Sequence, residues 1–436
     1  MSKRHIPPRV LKKPSGARYF LGAAFLGAVF GTTKLVRAAP PTGERAGIER
    51  VCTSGPESGV ARAQRLRGVA ATTAAGLLPN PTVVAEHQRS LSGPSESETT
   101  LGISVPIGIG GRRGILRDAA ALRRQQAVLE AQATLFDSAL VFREAYVVAA
   151  LDRARVVVLT EQQTALDALS VTIQALARAG ETAGYDLLRQ RVHARVHRRR
   201  LDSAKARAQA SQALIEAWLG TSVDLPPASE LTTSSTGERP FTDELAPNHP
   251  RLRGLEAEAG ASNLEGRAAR RKWVPDLEIF AGYRGTTFAG NTGHGIALGL
   301  RLPLTFFDHG QGEAEHADAA QALARSTADS LRRQHGAQFK SAYVELGVLS
   351  ASLGEAVTAA AEAVTLQQKA RLLYAAGETS ITELLEAFGA AEEARLSLLV
   401  LAEEIAGARL SMMRAAGTQF DVALDRICTA SAGATR

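Results

Sequence analysis

Cysteine is nearly absent: two residues among 436, too few for a disulfide scaffold. Aromatics are scarce at 5%, yet apolar residues reach 45%, which excludes a disordered tail. Proline is missing from two long stretches, residues 112–179 and 311–376, so nothing in them breaks a helix. After residue 38 no segment has about 18 uninterrupted apolar residues, the signature of a spanning helix, so any entry into a membrane must be made by strands. Acidic residues are absent from residues 1–38, which carry Lys3, Arg4, Arg9, Lys12, Lys13, Arg18, Lys34 and Arg37. The remainder holds 43 basic against 44 acidic residues. The net charge of +7 therefore reflects one end and points to no nucleic-acid partner.

That basic end continues into the apolar stretch 19–30 and then Val36-Arg37-Ala38, the form of an export signal cleaved after Ala38 or Ala39. The apolar stretch is shorter than the roughly 20 residues of a membrane anchor. Export would place Cys52 and Cys428 in an oxidising compartment, where they pair if the two ends of the mature chain meet. Glu49-Arg50-Val51 is a poor match to a lipidation signal preceding Cys52.

The mature chain aligns with itself. Pro79 matches Pro275 at a shift of 196, while Pro106 and Pro303, Gly180 and Gly377, and Gly220 and Gly417 match at 197. The word Ala179-Gly180-Glu181-Thr182 recurs as Ala376-Gly377-Glu378-Thr379. The sequence thus divides into a signal (1–38), a first repeat (39–220), a linker (221–249), a second repeat (250–417) and a tail (418–436). Each repeat opens with a helical stretch, 55–77 or 250–273, closed by a proline.

Two strand-like runs follow in each repeat: 81–91 with 98–108, and 276–286 with 294–304, the second pair separated by the turn-rich stretch 289–293. Leu101, Ile103, Val105 and Ile107 alternate with Thr100, Gly102, Ser104 and Pro106; the shift carries them onto Leu298, Leu300, Leu302 and Leu304. A period of two with one apolar face is a strand signal. Long helices follow over 112–179 and 311–376, with returning helices over 184–219 and 381–416. Leu166, Leu169, Ile173 and Leu176 have the spacing of a coiled-coil seam, and Leu169 and Leu176 recur as Leu366 and Leu373. A helix of some 66 to 68 residues is a rod about 100 Å long.

Hairpins with one apolar face and thin helical rods hold no core of their own. Eleven-residue strands tilted near 45° span about 25 Å, the apolar height of an outer membrane. Four strands cannot close a barrel whose smallest single-chain form has about eight. The sequence therefore predicts a mainly α chain with membrane β-strands, in which several copies share one barrel.

These residues resemble the TolC-like outer-membrane efflux proteins, homotrimers with a 12-stranded barrel continued by a periplasmic helical tunnel. Val105-Pro106-Ile107-Gly108-Ile109-Gly110-Gly111-Arg112-Arg113 is similar to the heavy-metal (cobalt-zinc-cadmium) branch, as are Val274-Pro275-Asp276-Leu277, Gly282-Tyr283-Arg284, Pro303-Leu304, Phe307-Asp308 and Gln311-Gly312. The resemblance implies passive conduction from an inner-membrane RND-type pump and a periplasmic adaptor to the outside, with no cofactor. It implies periplasmic aperture residues at Glu383, Glu386, Asp186 and Tyr374, with Thr379 standing where a linking Arg is common. It also makes Gly180, Glu181, Thr182, Gly377, Glu378 and Thr379 adaptor-docking tips, and it turns the leucine faces of the strands to lipid.

His193 and His197 share a helix face, but Arg191, Arg195, Arg198, Arg199 and Arg200 around them disfavour a bound cation. No metal set is expected. No nucleophile, base and orienting group stand at recognisable spacing, so no catalysis is expected. The alternatives are a multidrug or type I secretion outlet of the same fold, or a soluble periplasmic coiled-coil structural or adaptor protein.

Overall fold

The computed structural model describes residues 43–93, 96–180, 184–227 and 249–417. The expected signal, most of the linker, Glu181, Thr182, the tail and Cys428 lie outside the described residues. Cys52 is buried and is not a free thiol.

Helices α1 (Glu44–Ser54) and α2 (Pro56–Gly76) open the chain. The sequence predicts one helix over 55–77; α1 is additional. Gly55 separates the two, and Pro56 begins α2 at the position where its missing N–H leaves no bond unmade. Then come β1 (Thr82–Arg89), β2 (Glu96–Ile107), α3 (Arg112–Ala179), α4 (Gly184–Leu219), α5 (Pro250–Arg270), β3 (Leu277–Phe288), β4 (Asn291–Arg301), α6 (Gln311–Ala375) and α7 (Ile381–Ala416).

Helix α3 runs 68 residues and α6 runs 65. Helix α3 packs against α4 and α7, and α7 packs in turn against α6; nearer the sheet, α5 bridges α3 and α6 while α2 covers α3. Leu166, Leu169 and Ile173 of the expected seam are buried with Ile381, Leu384, Leu385 and Phe388 of α7. Their repeat counterparts behave differently. Leu366 and Leu373 are exposed, because α6 ends the helical layer and none of the described elements covers that face. A second cluster joins α1 to the middle of α3 and the end of α4 through Ile48, Val51, Leu135, Phe142, Tyr146 and Ile215.

The strands form one antiparallel sheet in the order β1-β2-β3-β4. The sequence predicts a five-residue turn over 289–293; the hairpin instead closes on two residues, Ala289 and Gly290, both at positive φ (47° and 89°). Two positive-φ residues give the turn whose twist matches paired strands, so Phe288 pairs with Asn291. Leu302 and Leu304 fall beyond β4, which stops at Arg301 before Pro303. Between β4 and α6, Gly310 adopts φ 91°, and a Cβ there would lie 2.2 Å from the carbonyl oxygen of Ala269. Asp308 accepts from the Gly310 N–H at 3.0 Å and from Lys272 at 2.8 Å. Glu313 joins Lys272 (2.9 Å) and Arg112 (3.2 Å), so the Phe307-Asp308 and Gln311-Gly312 words form the hinge between sheet and rods.

Candidate functional site

The far ends of the rods hold the expected aperture residues. Helix α6 ends in a Schellman arrangement: the Glu378 N–H donates to the Leu373 carbonyl at 2.9 Å and the Gly377 N–H to that of Tyr374 at 3.1 Å. Two residues on, Ser380 and Glu383 form a reciprocal capping box at the start of α7. The Glu383 carboxylate accepts from the Thr379 hydroxyl and from the Ser380 N–H at 3.1 Å. The Thr379 bond first and the Ser380 N–H second hold its pKa below the ordinary carboxylate value. Glu383 is therefore tied to its own helix end, and Thr379 is its partner. Glu386, one turn further, is exposed.

Tyr374 lies in the buried cluster with Leu169 and Phe388, and its hydroxyl has no hydrogen-bond partner among the described residues. Asp186 is half-buried in the first turn of α4, where a carboxylate favours the helix dipole. A lateral tie not visible in the sequence joins the two returning helices: Arg189 donates to the Thr382 hydroxyl at 2.6 Å. Gln162 donates to the Phe388 carbonyl at 2.8 Å and Gln190 to that of Leu166 at 3.1 Å.

His197 is the center of a buried ionic network between α3, α4 and α7. Its Nδ1 lies 2.9 Å from Glu392 Oε2, its Nε2 lies 2.9 Å from the Leu159 carbonyl, and Arg200 donates to Glu392 Oε1 at 3.1 Å. Burial lowers the pKa of His197, but the bonds to Glu392 and Leu159 outweigh it and the net shift is upward. Burial raises that of Glu392, and His197 with Arg200 bring it below its ordinary value. A carbonyl and an ionised carboxylate both accept, so the network favours the imidazolium form of His197, in which both ring nitrogens donate. His193 does not join it: burial lowers its pKa, and its Nδ1 has no partner among the described residues. Among the described residues no group of three or more His, Cys, Asp or Glu is placed to hold a metal ion.

At the opposite end, pairing register assigns each strand residue to a face. Ala85, Leu101, Tyr283 and Ile296 form one row; Val83, Ile103, Ala281 and Leu298 the next; Val105, Ile279 and Leu300 a third. This face is apolar and open, with Leu298 78% and Ile103 53% exposed. The other face carries Glu86, Glu96, Glu98, Glu278, Arg284 and Arg301, of which Arg284 pairs with Glu98 and Arg301 with Glu278. On that polar face Phe280 lies across Gly102 and Gly282; a Cβ at Gly102 would come within 2.6 Å of its ring.

Residues 242–418 match the family described as outer membrane efflux protein. They span the second repeat, and the first builds the same hairpin and rods. The match lies within the second half of the chain and is a likeness of that repeat to the family. It is 27% identical over 283 residues to the nickel-cobalt-cadmium resistance protein NccC of Alcaligenes xylosoxydans xylosoxydans, covering 63% of this chain and 62% of that protein. It is 27% identical over 292 residues to the nickel and cobalt resistance protein CnrC of Cupriavidus metallidurans, covering 63% and 66%. The matched region thus spans just under two thirds of each relative.

Among solved structures, CusC superposes with a TM-score of 0.72 at 16% identity, covering 86% of this chain and 92% of that one. The outer-membrane channel OprN gives 0.73 at 17%, covering 86% and 90%. VceC of Vibrio cholerae gives 0.70 at 15%, covering 87% and 97%. The fold is that of TolC-like outer-membrane channels.

Proposed function

We propose that this chain is the outer-membrane duct of a tripartite efflux system, passively conducting heavy-metal cations that an inner-membrane pump and a periplasmic adaptor deliver. Three copies close their sheets into a 12-stranded barrel and their helical layers into a tunnel. The observation that carries this reading is the sheet: one face is apolar and exposed, and β1 and β4 each have one edge unpaired among the described residues. Exposed edges and an uncovered apolar face call for neighbours and lipid. Helix α6 adds to this, since its most apolar stretch is almost unburied among the described residues.

Cations are favoured by charge. The polar face of the sheet has four carboxylates against two guanidinium groups, and Glu386 adds a carboxylate near the tip. Rings of negative charge admit cations and repel anions. The two metal-resistance relatives support the same substrate class. The turns at Gly180 and Gly377, with Glu378 and Thr379, are the proposed adaptor-docking tips, and Glu386 with Asp186 the aperture carboxylates. The duct performs no bond chemistry.

Deleting the gene should lower tolerance to nickel, cobalt or cadmium while leaving drug tolerance unchanged, and the purified chain should run as a detergent-dependent trimer. Unchanged metal tolerance would overturn the substrate class. A monodisperse single polypeptide in detergent-free buffer would overturn the duct itself.

A further inference from the structure

The apolar face of the sheet ends sharply toward the hairpin tips. Its last apolar row is Ala85, Leu101, Tyr283 and Ile296; the next is His87, Thr99, Gly285 and His294, and the one after it Arg89, Ser97, Thr287 and Thr292. His87 Nδ1 bonds Thr99 Oγ1 at 2.9 Å. His294 Nδ1 bonds the Tyr283 hydroxyl, with the two rings stacked. Each imidazole thus uses one nitrogen within the sheet. All three basic side chains are exposed.

The charge on this face is of one sign. Every carboxylate of the four strands lies on the opposite face, where Glu98 and Glu278 have arginine partners. The outward rim therefore offers one guanidinium, two imidazoles and several hydroxyls, and none of the carboxylates of the strands lies on that face. Successive rows on one face are about 7 Å apart along the strand, which puts His87, His294 and Arg89 at the depth where hydrocarbon gives way to headgroups.

We propose that Arg89, His87 and His294, with the hydroxyls beside them, form a binding surface for the phosphate of outer-leaflet lipids. A guanidinium flanked by neutral donors suits a phosphate oxyanion. Because β1 and β4 are the edge strands, barrel closure brings His87 and Arg89 of one copy to the same side of a subunit seam as His294 of the next. The inference rests on the barrel reading, and it makes the phosphate a tie across that seam.

The test uses the purified full chain in detergent, with native mass spectrometry counting bound dihexanoyl phosphatidic acid, dihexanoyl glycerol or inorganic phosphate. Wild type should retain phosphatidic acid in preference to dihexanoyl glycerol. The triple variant H87Q/R89Q/H294Q should retain at least about tenfold less phosphatidic acid, and Gln88→Ala, on the opposite face at the same height, should match wild type. Equal retention of the two lipids, an unaffected triple variant, or inorganic phosphate bound as well as the lipid would overturn the proposal. The same spectra report subunit number: a trimer without lipid discrimination sinks this inference alone, whereas a monomer sinks the barrel on which it rests.

Discussion

Replacing Glu392 by Gln removes the charge but keeps the volume at the center of the buried network. His197 and Glu392 are 2% and 3% exposed, and their facing atoms lie 2.9 Å apart. Unit charges at that distance attract by about 6 kcal/mol at an effective dielectric of ~20, before desolvation is subtracted. Removing one partner of a buried pair costs about 3–5 kcal/mol. Arg200 is mostly exposed, so its contact with Glu392 adds only a screened share. Glu392→Gln and His197→Gln should each lower stability by about 3 kcal/mol, while the double variant falls by at most ~1 kcal/mol more.

Denaturant midpoints at equal slope would measure that cycle. The pH dependence follows from the two shifts. The contribution of His197, whose folded pKa is raised, is full below its ordinary value of 6.5 and is lost as pH rises through the folded value. That of Glu392, whose folded pKa is lowered, is full above 4.5 and is lost as pH falls through the folded value. Wild type should therefore exceed Glu392→Gln most between 4.5 and 6.5. Additive losses from the two single variants, or a pH-independent gap, would refute the ion-pair reasoning.

His249 should act in the opposite sense. It stacks on His335 with ring centroids 4.5 Å apart, and burial first, then the neighbouring His335, push its pKa down to about 4. Stability from the neutral ring is full above 6.5 and falls by up to about 3 kcal/mol as pH drops toward 4; acid melting curves of His249→Gln should be flatter by that amount. Ile103→Lys on the proposed lipid-facing side should cost about 2–4 kcal/mol and abolish heat-modifiable trimers on gels. Glu383→Ala should remove the capping box and lower stability by about 1 kcal/mol, whereas Glu386→Gln should leave stability unchanged and reduce cation selectivity in planar bilayers. Gly102→Val meets both the Phe280 ring and the Ala281 carbonyl within 2.6 Å, and should yield little assembled protein in outer-membrane fractions.

Much of this architecture is legible because the decisive signals are periodic and local. Proline-free runs bounded by glycine define α3 and α6, and the alternation from Leu101 to Ile107 defines the exposed face, register included. The two-residue hairpin escapes a reading by composition, since Ala289 at positive φ carries no sequence signature and the glycine- and asparagine-rich stretch looks longer than the turn it makes. The seam at Leu366 and Leu373 misleads for another reason: heptad spacing reports that a face will be covered, without saying whether the cover comes from the same chain. At the tip, the match to aperture carboxylates marks Glu383 and Glu386 alike, but Ser380-Ile381-Thr382-Glu383 is also a capping-box word, and the local bonds engage Glu383. His197 is the clearest miss. Five surrounding arginines argue against a metal, yet they reveal nothing of Glu392, which is 195 residues away and meets His197 only through the packing of two repeats.

That distant partnership bears on why the chain is duplicated rather than assembled from six single units. The returning helices α4 and α7 are repeat equivalents, but α4 carries eight basic and three acidic residues while α7 carries three basic and six acidic. A symmetric ancestor would place identical charges on both and could not tell one neighbour from the other. Divergence lets Arg200 meet Glu392 and Arg189 meet Thr382 across the two repeats, while Arg155 on α3 pairs with Glu403. Like charges facing one another would oppose α4–α4 and α7–α7 pairings. In the proposed trimer the two repeats of one chain would thereby be fixed as alternating, unlike staves, and the closed ring would keep threefold rather than sixfold symmetry. Exchanging the charges at Arg200 and Glu392 together should preserve the trimer, whereas reversing Arg200 alone should weaken it. Equal trimer yields from the single and double reversals would show that packing, not charge, keeps the repeats distinct.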